Sequence, residues 1–319
     1  MKSSLAIILL ASLLFACTNS ESIPASNVAV TAEVKKERAD LHATMSKIVP
    51  FFKPMGKPAG YDWLASHNEP GQTFDEFLDA NPAKPTKERQ KIYVLPLGTF
   101  NVKEQKVIAV TAGYLEAFYD LPVSVMPSKP MPKPTKGADH RTVHQLIANS
   151  GRFPPFEQIR TGYINDDILL PIKPKDAAAL IALTNEDLFP DASMNYVFGQ
   201  ASLENRVGVW SMVRLGEKGD YNTFLSRTLK IATHETGHMF GMRHCTKYEC
   251  IMSGTNNLAE TDSRPIDACP ECMAKICWLS DISPTDRYTR LATFCRKNGL
   301  NKEADDFTRK AAACKNRER

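Results

Sequence analysis

The sequence has no apolar run long enough to cross a bilayer. Its apolar opening, Leu5 to Phe15, spans 11 residues, about half of what a membrane helix needs. After the positive start Met1-Lys2-Ser3-Ser4 it suits the core of a signal peptide. Charge of one sign is not concentrated either. Lys and Arg number 40 against 36 Asp and Glu, a net +4, and no basic run gathers them, which excludes the electrostatic footprint of a nucleic-acid binder. The basic end (Lys315, Arg317, Arg319) reads as a solvated tail. Carboxylates paired at a working distance are also missing. Asp166-Asp167 and Glu186-Asp187 are merely adjacent, without helical or cross-strand spacing, and read as surface or turn residues. Nor is the chain a small stapled scaffold. With 319 residues, 43% hydrophobic and 24% charged, it suits one large globular domain plus an extension.

What is present concentrates in His234-Glu235-Thr236-Gly237-His238-Met239-Phe240-Gly241-Met242-Arg243-His244-Cys245. His234 and His238 are four apart, so a helix projects them from one face. Two imidazoles so placed can share a Zn²⁺ at about 2.0–2.1 Å each. Glu235 is rotated about 100° from His234 and can still lean over the ion, where it can take a proton from an activated water. Gly241 can adopt the positive φ of a sharp helix exit. His244 can then swing back as a third ligand, leaving a fourth position open, as catalytic rather than structural zinc requires. His, Glu, His, Gly and His all match the extended zincin spacing. By contrast, His140-Arg141-Thr142-Val143-His144 has Arg where the base should be and no third ligand. It reads as a solvated face of a helix near 139–149.

Past His244 come Cys245, Cys250-Ile251-Met252 and Cys269-Pro270-Glu271-Cys272. With the histidine motif, this pattern resembles the archaemetzincins, zinc metallopeptidases of the metzincin group. The 16 residues between Met252 and Cys269 are one fewer than usual there, which a loop deletion explains without moving a ligand. Asp62-Trp63, Pro70 to Phe74 and Ile92 to Gly98 also resemble that family, particularly its animal type. The resemblance covers roughly 61–295 and is strongest at 234–272. It implies a metzincin-like zincin domain of mixed α+β class, with a second, structural zinc on Cys245, Cys250, Cys269 and Cys272. Four thiolates in short-spaced pairs suit a closed tetrahedral site; two disulfides are the alternative. Met252 would be the Met-turn residue beneath the catalytic ion, or plain core packing. Cys277, Cys295 and Cys314 remain, an odd set best read as buried thiols.

Leu14-Phe15-Ala16-Cys17 resembles the lipobox of bacterial lipoproteins, with Phe15 atypical. That implies cleavage before Cys17, lipidation of its thiol and a membrane anchor at the bacterial cell envelope. Thr18 favours the outer membrane; a secretory signal cut elsewhere is the alternative. Residues 1–16 are then the signal peptide and 17–60 a polar tether and a helical segment at 33–49, with Leu41, Met45, Ile48 and Val49 on one stripe. Residues 61–280 form the catalytic domain and 281–319 a C-terminal helical hairpin.

Within the catalytic domain, Thr73-Phe74-Asp75-Glu76 is a capping box for a helix at 74–80. Ile92–Leu97 reads as a buried strand, Val107–Phe118 as a helix and Leu121–Met126 as a strand, a β-α-β opening. Pro127 to Pro134 is a proline-rich loop, a substrate-side flap or, the favoured reading, a stiff surface connection. Ala177–Ala182 looks helical, turning into a strand near Ile181–Leu183. Asn195–Ala201 is a strand candidate which, by the resemblance, is the edge that pairs with extended substrate. Val207–Leu215 is apolar throughout and reads as a central strand. The active helix runs from about 223 to 239, its core face made by Leu225, Leu229, Ala232, Thr236 and Met239. Helices at 271–279, 286–297 and 301–314 close the chain, the last two turning at Gly299.

These readings converge on a zinc metallopeptidase. Its catalytic zinc sits on His234, His238 and His244, its base is Glu235, and it needs no organic cofactor. A peptide or protein substrate and a monomeric state are expected. Two other classes share the sequence features: a lipid-anchored, zinc-stabilised binding protein and a zinc amidohydrolase of wall peptides.

Overall fold

The computed structural model describes residues 32–143, 146–147, 151–152, 156–216 and 220–315. Cys17 and His144 lie outside the described residues. Helix α1 (Ala32–Ile48) comes first, then the short helices α2 (Trp63–Ser66) and α3 (Phe74–Asp79). A β-α-β unit follows: β1 (Lys91–Leu97), α4 (Val102–Tyr119) and β2 (Val123–Val125). The middle supplies β3 (His140–Val143), β4 (Leu146–Ile147), β5 (Gly151–Arg152), β6 (Phe156–Arg160), a π-helical turn (Tyr163–Leu169) and α5 (Leu170–Ile172). Then come β7 (Ala177–Thr184), β8 (Asp187–Phe189), β9 (Gly199–Ser202) and β10 (Val207–Ser211). Helix α6 (Tyr221–Met239) leads to α7 (Leu258–Ser263), α8 (Pro270–Ser280), α9 (Pro284–Lys297) and α10 (Asn301–Cys314). Every site discussed below lies in the compact unit of residues 39–319.

The main sheet is mixed, in the order β2-β1-β7-β10-β9. β1, β2, β7 and β10 run parallel, and β9 pairs antiparallel with β10. The pleat sends alternate residues to opposite faces. On one face Ile92, Val94, Ile181, Leu183 and Trp210 join the larger core with α4, α6 and the C-terminal helices. On the other, Leu95, Leu97, Leu180, Ala182, Val207 and Val209 pack with Ile159, Ile164, Leu169 and Leu188. Both faces are covered, so β7 is buried along its whole length and carries no polar alternation. That explains why Ala177–Ala182 mimics a helix: the alanine run has helical propensity, and burial on both sides hides the period of two.

Four further expectations need correction. Among the described residues of 139–149, 140–143 and 146–147 are strands rather than a helix. His140–Val143 is a strand paired antiparallel with β6, which suits its β-branched Thr142 and Val143. Val49 leaves the stripe that buries Leu41, Met45 and Ile48; it starts a 3₁₀ turn and is exposed. Strand β9 begins at Gly199 rather than Asn195, and β10 ends at Ser211, one place in from the edge.

Helices form where caps and stripes coincide. Thr73 and Asn101 cap α3 and α4 with reciprocal bonds to Glu76 and Glu104, the capping-box arrangement. Asp220 caps α6 by accepting the Thr223 N–H at 2.8 Å. Leu225, Leu229, Ala232, Thr236 and Met239 of α6 are buried. The hairpin of α9 and α10 is a packing element: Phe294 meets Tyr114 of α4 ring to ring.

Candidate active site

Helix α6 ends in a glycine-dependent turn. Gly241 has φ +83°; its N–H reaches the His238 carbonyl at 2.8 Å, and that of Met242 reaches Gly237 at 3.0 Å. This is the Schellman pattern, and the left-handed residue it requires is costly for anything but glycine. The chain reverses there and brings His244 back toward the helix. The His234, His238 and His244 ring centroids lie 4.6, 5.2 and 4.9 Å apart in pairs.

Each imidazole is fixed through Nδ1. His234 donates to the Ile251 carbonyl at 2.8 Å and His238 to the Met242 carbonyl at 2.7 Å. His244 donates to the Glu69 carboxylate at 2.9 Å. That leaves Nε2 of each ring as the lone-pair nitrogen. Nε2 of His234 and of His238 face one another at 3.0 Å, so two acceptors meet with no proton between them unless a cation intervenes. One ligand atom from each of the three residues falls within 4.8 Å of the others. A tetrahedral ion at about 2.0–2.1 Å spaces its nitrogens about 3.4 Å apart, so the set fits zinc. Burial pulls all three histidines below their usual range, with neighbouring imidazoles adding to it for His234 and His244. Neutral rings are the ligand form.

Glu235 stands beside this triad at the cleft wall. Burial pushes its carboxyl up to about 7, with His244 opposing; a bound cation would oppose it further. The cleft is about 510 Å³, and Gly199, Gln200 and Ala201 of the edge strand β9 line it together with His234, Glu235 and His238.

Cys245, Cys250, Cys269 and Cys272 are free, buried thiols. Their sulfurs gather within 4.8 Å of one another, and those of Cys245 and Cys269 are 3.5 Å apart, far beyond a disulfide bond. Sulfurs at about 2.3 Å from a tetrahedral zinc sit about 3.8 Å apart, so this donor set fits as well. Backbone N–H groups of Met252 and Cys269 point at the Cys250 sulfur at 3.4 and 3.2 Å, as they do toward a thiolate. Burial pushes the Cys250 and Cys269 thiols up, while hydrogen bonds from its three neighbours pull Cys245 down; all four could be thiolates together only with a cation among them.

One short loop joins the two clusters. Ile251 holds His234 by its carbonyl, and Met252 accepts the Cys245 N–H at 2.8 Å. Met252 is fully buried under α6. A Cβ at Gly237 would meet its sulfur at 2.6 Å and the Tyr119 hydroxyl at 3.2 Å, so this close approach of loop and helix needs glycine. Met252 therefore packs as a core residue directly against the helix that carries His234 and His238.

Sequence reasoning missed Glu69, Trp63, Gln72 and Tyr119. Trp63 lays its edge against His244 at 5.3 Å. Gln72 grips the helix exit by accepting the Arg243 N–H at 3.1 Å. Tyr119 donates to the Thr233 carbonyl at 2.6 Å. Glu69 precedes His244 by 175 residues, and no local spacing marks it. Elsewhere Asp166 lies in the π-helical turn and does not line the cleft. Cys277, Cys295 and Cys314 are buried, and burial pushes each thiol up, Cys277 to about 12.

The profile of peptidase family M54 matches residues 157–277. Archaemetzincin-2 of Rattus norvegicus is 32% identical over 275 residues, covering 75% of this chain and 74% of its own. The archaemetzincin of Archaeoglobus fulgidus is 28% identical over 186 residues, covering 58% of this chain and 98% of its own. The crystal structure of an archaemetzincin from that organism superposes with a TM-score of 0.45 at 27% identity, covering 58% of this chain and 99% of that one.

Proposed function

This chain belongs to the archaemetzincins, peptidase family M54, and is a zinc metallopeptidase; from that premise we propose how its residues divide the work. His234, His238 and His244 hold a catalytic zinc through Nε2. The carrying observation is that all three rings have Nδ1 occupied and converge beside Glu235. Cys245, Cys250, Cys269 and Cys272 hold a second, structural zinc that stiffens the Ile251–Met252 loop. When bound, the catalytic zinc supplies Lewis-acid polarisation of the scissile carbonyl and acidifies water. A peptide lies extended along the free edge of β9, where main-chain hydrogen bonds give affinity. Glu235 takes the proton of the attacking water and delivers it to the leaving amine. Its half-buried setting keeps bulk water from competing for that proton.

Dialysis against a chelator is the direct test. Peptide hydrolysis is expected to vanish and to return on adding Zn²⁺ but not Mg²⁺, because nitrogen and sulfur donors suit the softer ion. Hydrolysis that survives complete metal removal would rule the reading out.

Glu69→Gln is expected to weaken binding of the catalytic zinc by about 10–100-fold, since His244 loses the carboxylate that orients it. Competition with a chromophoric chelator measures this, and an unchanged affinity would remove Glu69 from the site.

A further inference from the structure

Lys230 lies four residues before His234 on α6 and lines the same cleft. It is 7% exposed. Its Nζ donates to the carbonyls of Thr261 at 2.9 Å and Asp262 at 3.1 Å, near the end of α7. An ammonium carries three donors, so one is left over. Carbonyls solvate the charge without neutralising it. Two nearby carboxylates are engaged elsewhere, while Glu303 of α10 acts on Lys230 only through its charge. Asp262 takes a forked contact from Arg227 at 2.8 and 2.6 Å. Glu260 takes Arg264 at 3.1 Å and the Asn256 N–H at 2.8 Å. Among the described residues no carboxylate forms an ion pair with Lys230. Arg264 lines the same part of the cleft, and its Nε is buried with no partner. Burial pulls Lys230 down to about 8, with the charges of Asp262 and Glu303 pulling the other way. Lys230 thus holds its charge on carbonyl oxygens rather than in an ion pair, and it faces the cleft.

We propose that this end of the cleft is a subsite for a carboxylate of the peptide substrate, an acidic side chain or the free C-terminus, received by Lys230 with Arg264 beside it. The inference rests on the peptidase reading above and names part of its substrate class. Four helical residues rise about 6 Å, and an extended chain advances about 3.4 Å per residue. The carboxylate therefore belongs within about two residues of the scissile bond.

The test measures equilibrium binding to full-length, zinc-loaded Glu235→Gln protein. One pair of N-acetylated tripeptides compares a free C-terminus with its amide. A second, amide-capped pair compares Glu with Gln at the last position. The acidic member is expected to bind roughly tenfold tighter in one pair, as a charge-assisted hydrogen bond gives, and that pair identifies the source of the carboxylate. Adding Lys230→Gln is expected to abolish the preference, and Lys230→Arg to retain it. Lys230→Met, which keeps the buried stem, serves the same purpose should Lys230→Gln not fold.

No acid preference in either pair overturns the proposal, and leaves Lys230 as a cap for α7 whose loss lowers only the melting temperature. A preference that survives Lys230→Gln but disappears with His238→Ala also overturns it, by assigning the carboxylate to the catalytic metal. The readout is binding, so failure of the parent to hydrolyse any peptide would sink the peptidase reading separately.

Discussion

Glu235→Gln is expected to lower kcat/KM for peptide hydrolysis by about 10²–10⁴-fold, the contribution of a positioned general base. Gln has nearly the shape of Glu but cannot accept and return a proton. The imidazoles keep their partners at Ile251, Met242 and Glu69, so zinc content should stay at the parent value. Metal analysis and steady-state kinetics on the same preparation separate the two effects. Parent-like turnover would remove Glu235 from the chemistry. Loss of zinc together with turnover would make it a structural residue.

The second large effect falls far from the cleft. Asp267→Asn is expected to destabilise the folded protein by about 3–5 kcal/mol, the usual consequence of stripping a partner from buried charges. Asp267 faces Arg287 of α9 at 3.5 Å and Lys310 of α10 at 2.9 Å. All three side chains are buried. Arg287 also donates to the Phe118 carbonyl at 3.1 Å, so the hairpin is tied to α4 through the same cluster. The Asp267 carbonyl accepts the Ile251 N–H at 2.9 Å, which links this cluster to the loop that orients His234. The hairpin therefore buttresses that loop. Urea unfolding with zinc in both samples reads the difference from the midpoint and slope. A loss below about 1 kcal/mol, the scale of an exposed pair, would contradict the account.

Legibility followed the range of the physics involved. The histidine motif was legible because an α-helix converts a spacing of four into one face, and Gly241 advertised the turn that returns His244. The capping boxes at Thr73 and the helices after Cys269 were legible for the same local reason. Strand β7 was misread because burial on both faces erases alternation, and only its neighbours β1 and β10 make it a strand. His140 was placed on a helix because i, i+4 spacing carries no information once β6 is available as a partner. Glu69 and Trp63 reach His244 across the fold, and their role exists only after the chain has closed on itself. Lys230 carries no signal in the sequence, because the carbonyls that hold it belong to the end of α7 and meet it only in the folded chain.

The most direct measurement counts zinc in purified full-length protein. Two independent donor sets, one of imidazoles and one of thiolates, should give about two ions per chain, falling to about one in His238→Ala with the cysteine site intact. A parent holding a single ion, or a His238→Ala variant that still holds two, would contradict the assignment of these seven residues.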